Sequence, residues 1–264
     1  MMKTLIFRYA QLLLVALGLV IGNVAFASGG LYIGSGVSLD DFKVRYDKRE
    51  DVNLFPSLSL KDLVFNQKNE GSDSPYSLNV FLGYRYKFDT RGLWLDFQFE
   101  YTLRSDSIEG RLTGIGELGD GQTIEDLLDE QWSFKTDRDR TAVIRMGHVM
   151  SVFGLFEFSP LILGGWREIE VAFKRNFTVC GTKLVCGPGE TGNPATETRS
   201  PVFKQWVMGV GIEKSIGRST LLQLEARLTS EAEEEWREQL NDVDTPTRLS
   251  ADSYEVSLRL AIFF

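Results

Sequence analysis

Apolar and polar residues alternate over long stretches of the chain. From Tyr76 to Phe88 every second residue is apolar, and after the short turn at 89–92 the same pattern runs from Leu93 to Leu103. Successive side chains of a β-strand point to opposite faces, so the pattern predicts two strands with one apolar face each. These faces are six or seven positions long. A common strand has only about 5–6 residues, so the length favours strands that cross a membrane.

Eight segments carry this alternation, and the connections between them alternate in length. The segments are 31–46, 76–88, 93–104, 140–152, 161–174, 202–214, 220–230 and 254–264. The short connections are 89–92, 153–160 and 215–219, and the long ones are 47–75, 105–139, 175–201 and 231–251. An even number of strands with this arrangement is typical of bacterial outer-membrane barrels, whereas a soluble sandwich has no reason to put every long loop at one end.

We therefore predict an all-β fold, a transmembrane antiparallel up-and-down β-barrel of eight strands. The short turns and both chain termini are expected in the periplasm, and the long loops outside the cell.

The last predicted strand ends the chain on an aromatic residue. One of its faces is apolar at every position, formed by Tyr254, Val256, Leu258, Leu260, Ile262 and Phe264. Such a strand resembles the assembly signal of outer-membrane barrels, and an ordinary terminal strand is the alternative.

The first 27 residues have the features of a secretory signal peptide. Lys3 and Arg8 precede an apolar run from Ala10 to Gly22, and an Ala-x-Ala pattern ends at Ala27. A membrane anchor is less favoured, because the run is shorter than the roughly 20 residues that span a bilayer. We expect cleavage after Ala27, which makes residues 28–264 the barrel domain.

Composition excludes several classes of function. Without the signal peptide the chain has 27 basic and 37 acidic residues, and this acidic balance argues against nucleic acid as a partner. A single histidine and two cysteines leave almost no ligands for zinc or haem. No cofactor is expected, apart from divalent cations that acidic loops share with lipopolysaccharide.

Three segments resemble the small eight-stranded outer-membrane barrels of the OmpA/OmpX and opacity-protein type. They are residues 30–37 (GLYIGSGV), 81–86 (FLGYRY) and the terminal strand 254–264. The resemblance implies an integral protein of a Gram-negative outer membrane. It also implies contact with outer-membrane lipid and lipopolysaccharide, and with the barrel-assembly machinery during biogenesis. The loops are longer and more acidic than in that group.

Many charged residues are predicted on the inner face of the barrel. They are Arg85, Lys87, Asp96, Glu100, Arg145, Glu168, Glu170, Glu213, Glu225, Arg227, Glu255 and Arg259. Buried charges are tolerated only when they pair, and eight strands enclose just enough space for side chains. The sequence therefore favours a lumen closed by ion pairs over a selective pore. Trp94, Trp166 and Phe263 are expected to obstruct it further.

A catalytic site is not expected. His148, the single histidine, and Ser151 are three positions apart, which puts their side chains on opposite faces of a strand. This spacing disfavours the hydrolase pairs of lipid-modifying barrels.

His148 and Arg167 are instead predicted on the lipid-facing surface. With the intervening turn centred near residues 156–157, Met146 lies opposite Arg167, which makes His148 and Arg167 diagonal neighbours. We predict that they form a lateral contact with a partner protein or a lipid phosphate, and a β-bulge or a snorkelling Arg167 is the alternative.

The long connections carry acidic runs and both cysteines. Residues 123–126 (TIED) resemble a capping box and predict a short helix, and residues 230–238 predict a second, acidic one. Cys180 and Cys186 are expected to form a disulfide after export.

These features favour a non-enzymatic outer-membrane protein whose acidic extracellular loops serve adhesion, partner contact or envelope integrity. The alternative is a narrow channel or transporter for small hydrophobic solutes, and a lipid-A-modifying enzyme ranks below both.

Overall fold

The computed structural model describes residues 29–52, 63–73, 76–88, 92–104, 107–112, 115–117, 123–125, 130–152, 156–179, 193–240 and 243–264. The predicted signal peptide and the predicted disulfide between Cys180 and Cys186 lie outside these residues. Within these ranges, no helix is long and apolar enough to cross a membrane.

The described chain forms fifteen strands. In chain order they are β1 (Gly29–Val52), β2 (Leu63–Asp73), β3 (Tyr76–Lys87), β4 (Leu93–Arg104), β5 (Ser107–Leu112), β6 (Ile115–Glu117), β7 (Thr123–Glu125), β8 (Glu130–His148), β9 (Met150–Val152), β10 (Phe156–Val179), β11 (Asn193–Arg199), β12 (Val202–Ile216), β13 (Thr220–Thr229), β14 (Ala232–Leu240) and β15 (Val243–Phe263).

Eight of these strands close into a ring. The order is β1-β3-β4-β8-β10-β12-β13-β15, and β15 pairs back onto β1 from Tyr32↔Phe263 to Asp51↔Asp244. All pairings in the ring are antiparallel. The predicted eight-stranded antiparallel barrel is therefore confirmed.

The two ends of the barrel differ. The turn end holds Gly29, Phe264 and the adjoining ends of three strand pairs, β3 with β4, β9 with β10, and β12 with β13. The extension end holds the long continuations of β1, β8, β10 and β15, together with β2, β5, β6, β7, β11 and β14. At the turn end, Gly92 and Gly217 adopt positive φ angles of 68° and 76°, which glycine accepts without steric strain.

An apolar band surrounds the ring strands. Its outward side chains include Leu31, Ile33, Val37, Leu39, Tyr76, Leu78, Leu82, Tyr84, Phe97, Phe99, Ile144, Met146, Ile162, Trp206, Met208, Val210, Leu224, Leu228, Tyr254, Leu258 and Leu260, all of them exposed. Such a continuous apolar exterior is unfavourable in water and is what lipid requires. The ring strands at this level are the membrane-spanning part of the protein.

Beyond the band the barrel continues as two facing sheets. One has the order β14-β15-β1-β2-β6-β7, and the other is formed by β5, β8, β10 and β11. Their inner faces share an aromatic core, in which Tyr46 packs on Trp132 and Phe173, and Phe42 packs on Phe134, with ring centroids 5.1–6.1 Å apart.

A β-bulge lies where the barrel meets these sheets. Glu170 pairs with Arg138 but Val171 pairs with Thr136, which leaves Asp137 as an extra residue in β8. The bulge shifts the alternation of inward and outward side chains along β8 by one residue. Trp132 and Phe134 therefore point inward on one side of it, and Asp139 and Thr141 point inward on the other.

The predicted loop structure was wrong in two respects. The long connections contain paired strands rather than only loop. The helices predicted at 123–126 and 230–238 are not formed in the described residues, where 123–125 is the strand β7 and 232–240 is the strand β14. Isolated short helices are marginal in water, whereas pairing with β6 and β15 gives these segments three and nine inter-strand residue pairs.

Candidate functional site

The centre of the lumen is filled by two glutamates and three arginines. Arg227 binds both oxygens of Glu100, with Nη1–Oε2 and Nη2–Oε1 distances of 2.7 Å. Arg259 Nη1 lies 2.9 Å from Glu100 Oε1 and 2.9 Å from Glu225 Oε2. Arg145 Nη2 lies 3.0 Å from Glu225 Oε1 and 3.2 Å from Glu100 Oε1. We call these five residues the central cluster.

Strand register brings the central cluster together. Each of its residues lies at an inward position, on β4, β8, β13 or β15, and each is at least nine-tenths buried. Charges can be buried this deeply only when they are paired and hydrogen-bonded. Every charge of the cluster is paired with an opposite charge, while Arg145 Nε and Arg259 Nε and Nη2 have no hydrogen-bond partner among the described residues. The cluster occupies the space through which a solute would pass.

A second cluster closes the lumen towards the turn end. Arg85 donates to both oxygens of Glu213 at 2.7 and 2.8 Å and to Asp96 at 3.0 Å. Its guanidinium carbon lies 3.8 Å from the ring centroid of Trp94. Tyr32 donates to Asp96 and, at 2.9 Å, to Gln98.

A third cluster lies towards the extension end. Arg167 Nε and Nη2 donate to the two oxygens of Asp139 at 3.0 and 2.7 Å, and its Nη1 donates to Ser253 at 2.8 Å. Arg104 joins Asp139, at 3.0 Å, to Asp40, at 2.8 Å. Sequence reasoning missed Asp40, Arg104 and Asp139. The alternation of inward and outward positions along β1, β4 and β8 could have placed these three residues in the lumen.

The structure divides the predicted lumen residues into three sets. The structure places Arg85, Asp96, Glu100, Arg145, Glu213, Glu225, Arg227, Glu255 and Arg259 inside the barrel. The placement of Glu168 and Glu170 inside was wrong, because both lie outward with side chains about two-fifths exposed, beside Arg140 at 4.0 Å and Arg138 at 3.4 Å. Lys87 is exposed at the turn end of β3.

The predicted lateral contact between His148 and Arg167 was also wrong. Arg167 pairs with Thr141 and points into the lumen, whereas His148 pairs with Leu93 at the far end of β8 and is exposed. The prediction assumed that the apolar residues of β10 face lipid. Leu161 and Ile169 in fact point inward, because the lumen contains apolar clusters, and the same reversal turns Trp166 outward.

The apolar face of the terminal strand lies on the outside of the barrel. Tyr254, Leu258 and Leu260 are exposed there, and Phe264 donates its backbone N–H to Leu31 O at 3.1 Å. The function of this face, which also holds Val256 and Ile262, as an assembly signal stays a prediction.

A cavity of about 610 Å³ opens at the tip of the extension end. Its lining includes the basic residues Lys48, Arg49, Lys68, Arg237 and Arg248, the acidic residues Asp47 and Glu235, and Trp236. We call it the tip cavity. The lining side chains carry more positive than negative charges, and three of these cations are paired with acids: Lys48 with Glu130, Lys68 with Asp47, and Arg248 with Glu233. Such a cavity attracts anions.

The floor of the tip cavity is fixed by buried polar contacts. Lys48 Nζ lies 2.8 Å from Glu130 Oε2, and Tyr46 donates to Glu130 Oε1 at 2.7 Å. Burial and the neighbouring Glu130 raise the pKa of Tyr46 well above its ordinary value, so the phenol keeps the proton that it donates. Across the described residues, no group of three or more His, Cys, Asp or Glu is arranged to hold a metal ion.

Comparison with known proteins adds only distant likenesses. No family model and no curated protein matches the chain. The structure is similar to Ail of Yersinia pestis, with 13% identity, 84% of this chain and 97% of that chain covered, and a TM-score of 0.28. It is also similar to Neisserial surface protein A (10% identity, 90% and 100% covered, TM-score 0.35) and to the outer-membrane protein AlkL (13%, 92% and 94%, 0.33).

These similar structures are outer-membrane β-barrels. We infer no ligand and no activity from similarities at these identities and TM-scores. The assignment as a transmembrane barrel depends on the closed ring and its apolar band.

Proposed function

We propose that the protein is a non-enzymatic barrel of the bacterial outer membrane that binds an anionic partner, such as an acidic polysaccharide, at its extension end outside the cell. The observation that carries the proposal is the central cluster, because a lumen filled by Glu100, Glu225 and their arginines leaves the extension as the place for contact. The tip cavity supplies a cationic surface there.

The lengths of the two ends support this orientation. Bacterial barrels have short periplasmic turns and long extracellular segments. Here the strands that follow one another at close spacing in the sequence meet at the turn end, which also holds Gly29 and Phe264. The paired sheets of the extension hold the tip cavity in a fixed shape. A preorganised site of this kind loses less entropy on binding than a loop does.

A narrow path for small hydrophobic solutes is the second candidate. Along their described residues β11 pairs only with β10, and β14 only with β15, so a seam separates β11 from β14. The Arg199 guanidinium carbon lies 4.9 Å from the ring centroid of Trp236 across this seam, and Trp236 packs on Phe173 of the aromatic core. The seam thus leads to apolar side chains, although the central cluster lies below them.

Binding to an immobilised polyanion tests the proposed function. We expect the purified protein to be retained on a sulfated polysaccharide at low salt and released as salt screens the charges. The double variant Lys68→Glu/Arg248→Glu should bind at least about tenfold less tightly, because two attractive charges become repulsive. Both side chains are about half exposed or more, and their ion pairs with Asp47 and Glu233 are of the exposed kind that contributes about 0–1 kcal/mol each, so the fold should be retained.

The matched control reverses two cations on the barrel wall, in the variant Arg138→Glu/Lys204→Glu. It changes the net charge equally but leaves the tip cavity intact. Equal losses in the two double variants, or no retention of the unaltered protein, would contradict the proposal.

A further inference from the structure

A notch interrupts the apolar band on the wall formed by β4, β8 and β10. Ala142 points outward between Phe99 on one side, its partner in β4, and Trp166 on the other, its partner in β10. One large aromatic ring thus lies on each side of the Ala142 methyl group. The resulting groove has a volume of about 550 Å³ and continues over Leu82 to Ile33.

The far wall of the notch is a packed pair of tryptophan rings. Trp166 packs edge-on against Trp206 of β12, with ring centroids 4.8 Å apart and an interplanar angle of 89°. An aromatic pair in this geometry is more favourable than burial alone. Tryptophan prefers the level where lipid chains meet headgroups, which is therefore the depth expected for the notch.

Charged residues lie directly above the notch. The next row of outward positions runs from Tyr101 through Arg140 and Glu168 to Lys204 on adjacent strands. Arg140 and Glu168 approach only to 4.0 Å, with side chains 54% and 42% exposed. At that distance no hydrogen bond joins them, and the guanidinium donors remain available. Two cations on either side of one carboxylate make the row net positive.

We propose that this notch is a binding site for one phosphate-bearing lipid, whose acyl chain lies over Ala142 and whose phosphate contacts Arg140. Ala142 and the flanking rings would contact the acyl chain, and Arg140, in the row above them, would lie at the level of the phosphate. This order matches the order of chain and headgroup in a membrane lipid. Guanidinium groups bind phosphate through paired hydrogen bonds. Lipid A and glycerophospholipids share this chemistry. The proposal depends on the transmembrane placement of the ring and is independent of the tip cavity.

Native mass spectrometry of the full chain in detergent tests the site. The probes are lipid A, phosphatidylglycerol, and a diacylglycerol that has the same chains without phosphate. The unaltered protein should retain both phosphate-bearing lipids more tightly than the diacylglycerol. Ala142→Phe, which fills the notch, should weaken all three probes by about tenfold. Arg140→Gln should weaken only the phosphate-bearing lipids, by about tenfold, to the level of the diacylglycerol.

Two control variants match these changes. Ala226→Phe adds the same ring to an outward alanine of β13, between Val210 and Val256. Arg138→Gln removes an exposed cation one row above Arg140 on the same strand. Both should bind lipid as the unaltered protein does, and heat-dependent migration on gels verifies that each variant is folded.

The relative affinities of the probes identify the lipid, and the variants test the site. Tighter binding of lipid A identifies lipid A as the occupant, tighter binding of phosphatidylglycerol identifies a glycerophospholipid, and both results support the site. The proposal is overturned if Ala142→Phe binds lipid as Ala226→Phe does. It is also overturned if the unaltered protein holds diacylglycerol as tightly as the phosphate-bearing lipids. Either result leaves the proposed function of the tip cavity unaffected.

Discussion

Replacing Glu100 by alanine is expected to destabilise the protein by about 3–5 kcal/mol, the usual effect of removing one partner from a buried ion pair. Arg227 would lose its bidentate acceptor, and Arg227, Arg259 and Arg145 would share Glu225 as their one remaining carboxylate in the cluster. Three buried cations would then face one anion. Urea unfolding in lipid vesicles, followed by tryptophan fluorescence, measures the change.

Glu168→Ala is the matched control for this prediction. Glu168 was predicted in the same lumen network, but it lies on the outside with its side chain 42% exposed and only a loose pairing to Arg140. Exposed ion pairs contribute about 0–1 kcal/mol. Similar losses of stability in Glu100→Ala and Glu168→Ala would show that the two strands are not oriented as described.

Arg167→Leu is expected to destabilise the protein by at least about 3 kcal/mol. The change removes both hydrogen bonds to Asp139 and the one to Ser253, and it leaves Asp139 buried with Arg104 as its remaining cation. Thermal or urea unfolding of the variant in vesicles gives the sign and size of the effect.

The sign of this effect distinguishes the two possible faces of β10. A lipid-facing arginine destabilises a barrel by about 2–4 kcal/mol at the membrane centre, so its replacement by leucine would be stabilising there. His148→Leu serves as the control, because His148 is exposed at the end of β8 and should change stability little. An Arg167→Leu variant as stable as the original protein would contradict the inward position.

The barrel could be predicted from sequence because its signal is repeated. Each of the eight ring strands alternates, and a single ambiguous strand does not alter the count or the closure. Strands such as β3 and β4 also separate apolar from polar residues cleanly, so Arg85, Asp96 and Glu100 could be placed on the inner face from parity alone.

The same reasoning gave the wrong orientation for β10, because each of its faces carries both apolar and charged residues. Leu161, Leu163 and Ile169 are apolar but point inward, since the lumen holds apolar clusters between its charged ones. Glu168 and Glu170 point outward, next to Arg140 and Arg138 on the neighbouring strand. Choosing between the faces needs the pairing register, which depends on contacts distant in sequence.

The extension could not be predicted from local signals for a related reason. β14 has the composition of a solvated acidic helix, and its strand state is set by pairing with β15. The bulge at Asp137 changes the parity of β8, so one rule of alternation cannot describe both the barrel and the extension.

A planar bilayer recording tests the central claim most directly. The central cluster, with Arg85 and Glu213 on one side and Arg167 and Asp139 on the other, fills the barrel interior with paired side chains. We expect the inserted, folded protein to show no steady conductance. Sustained openings on the nanosiemens scale would contradict a closed lumen, and with it the assignment of function to the extension end.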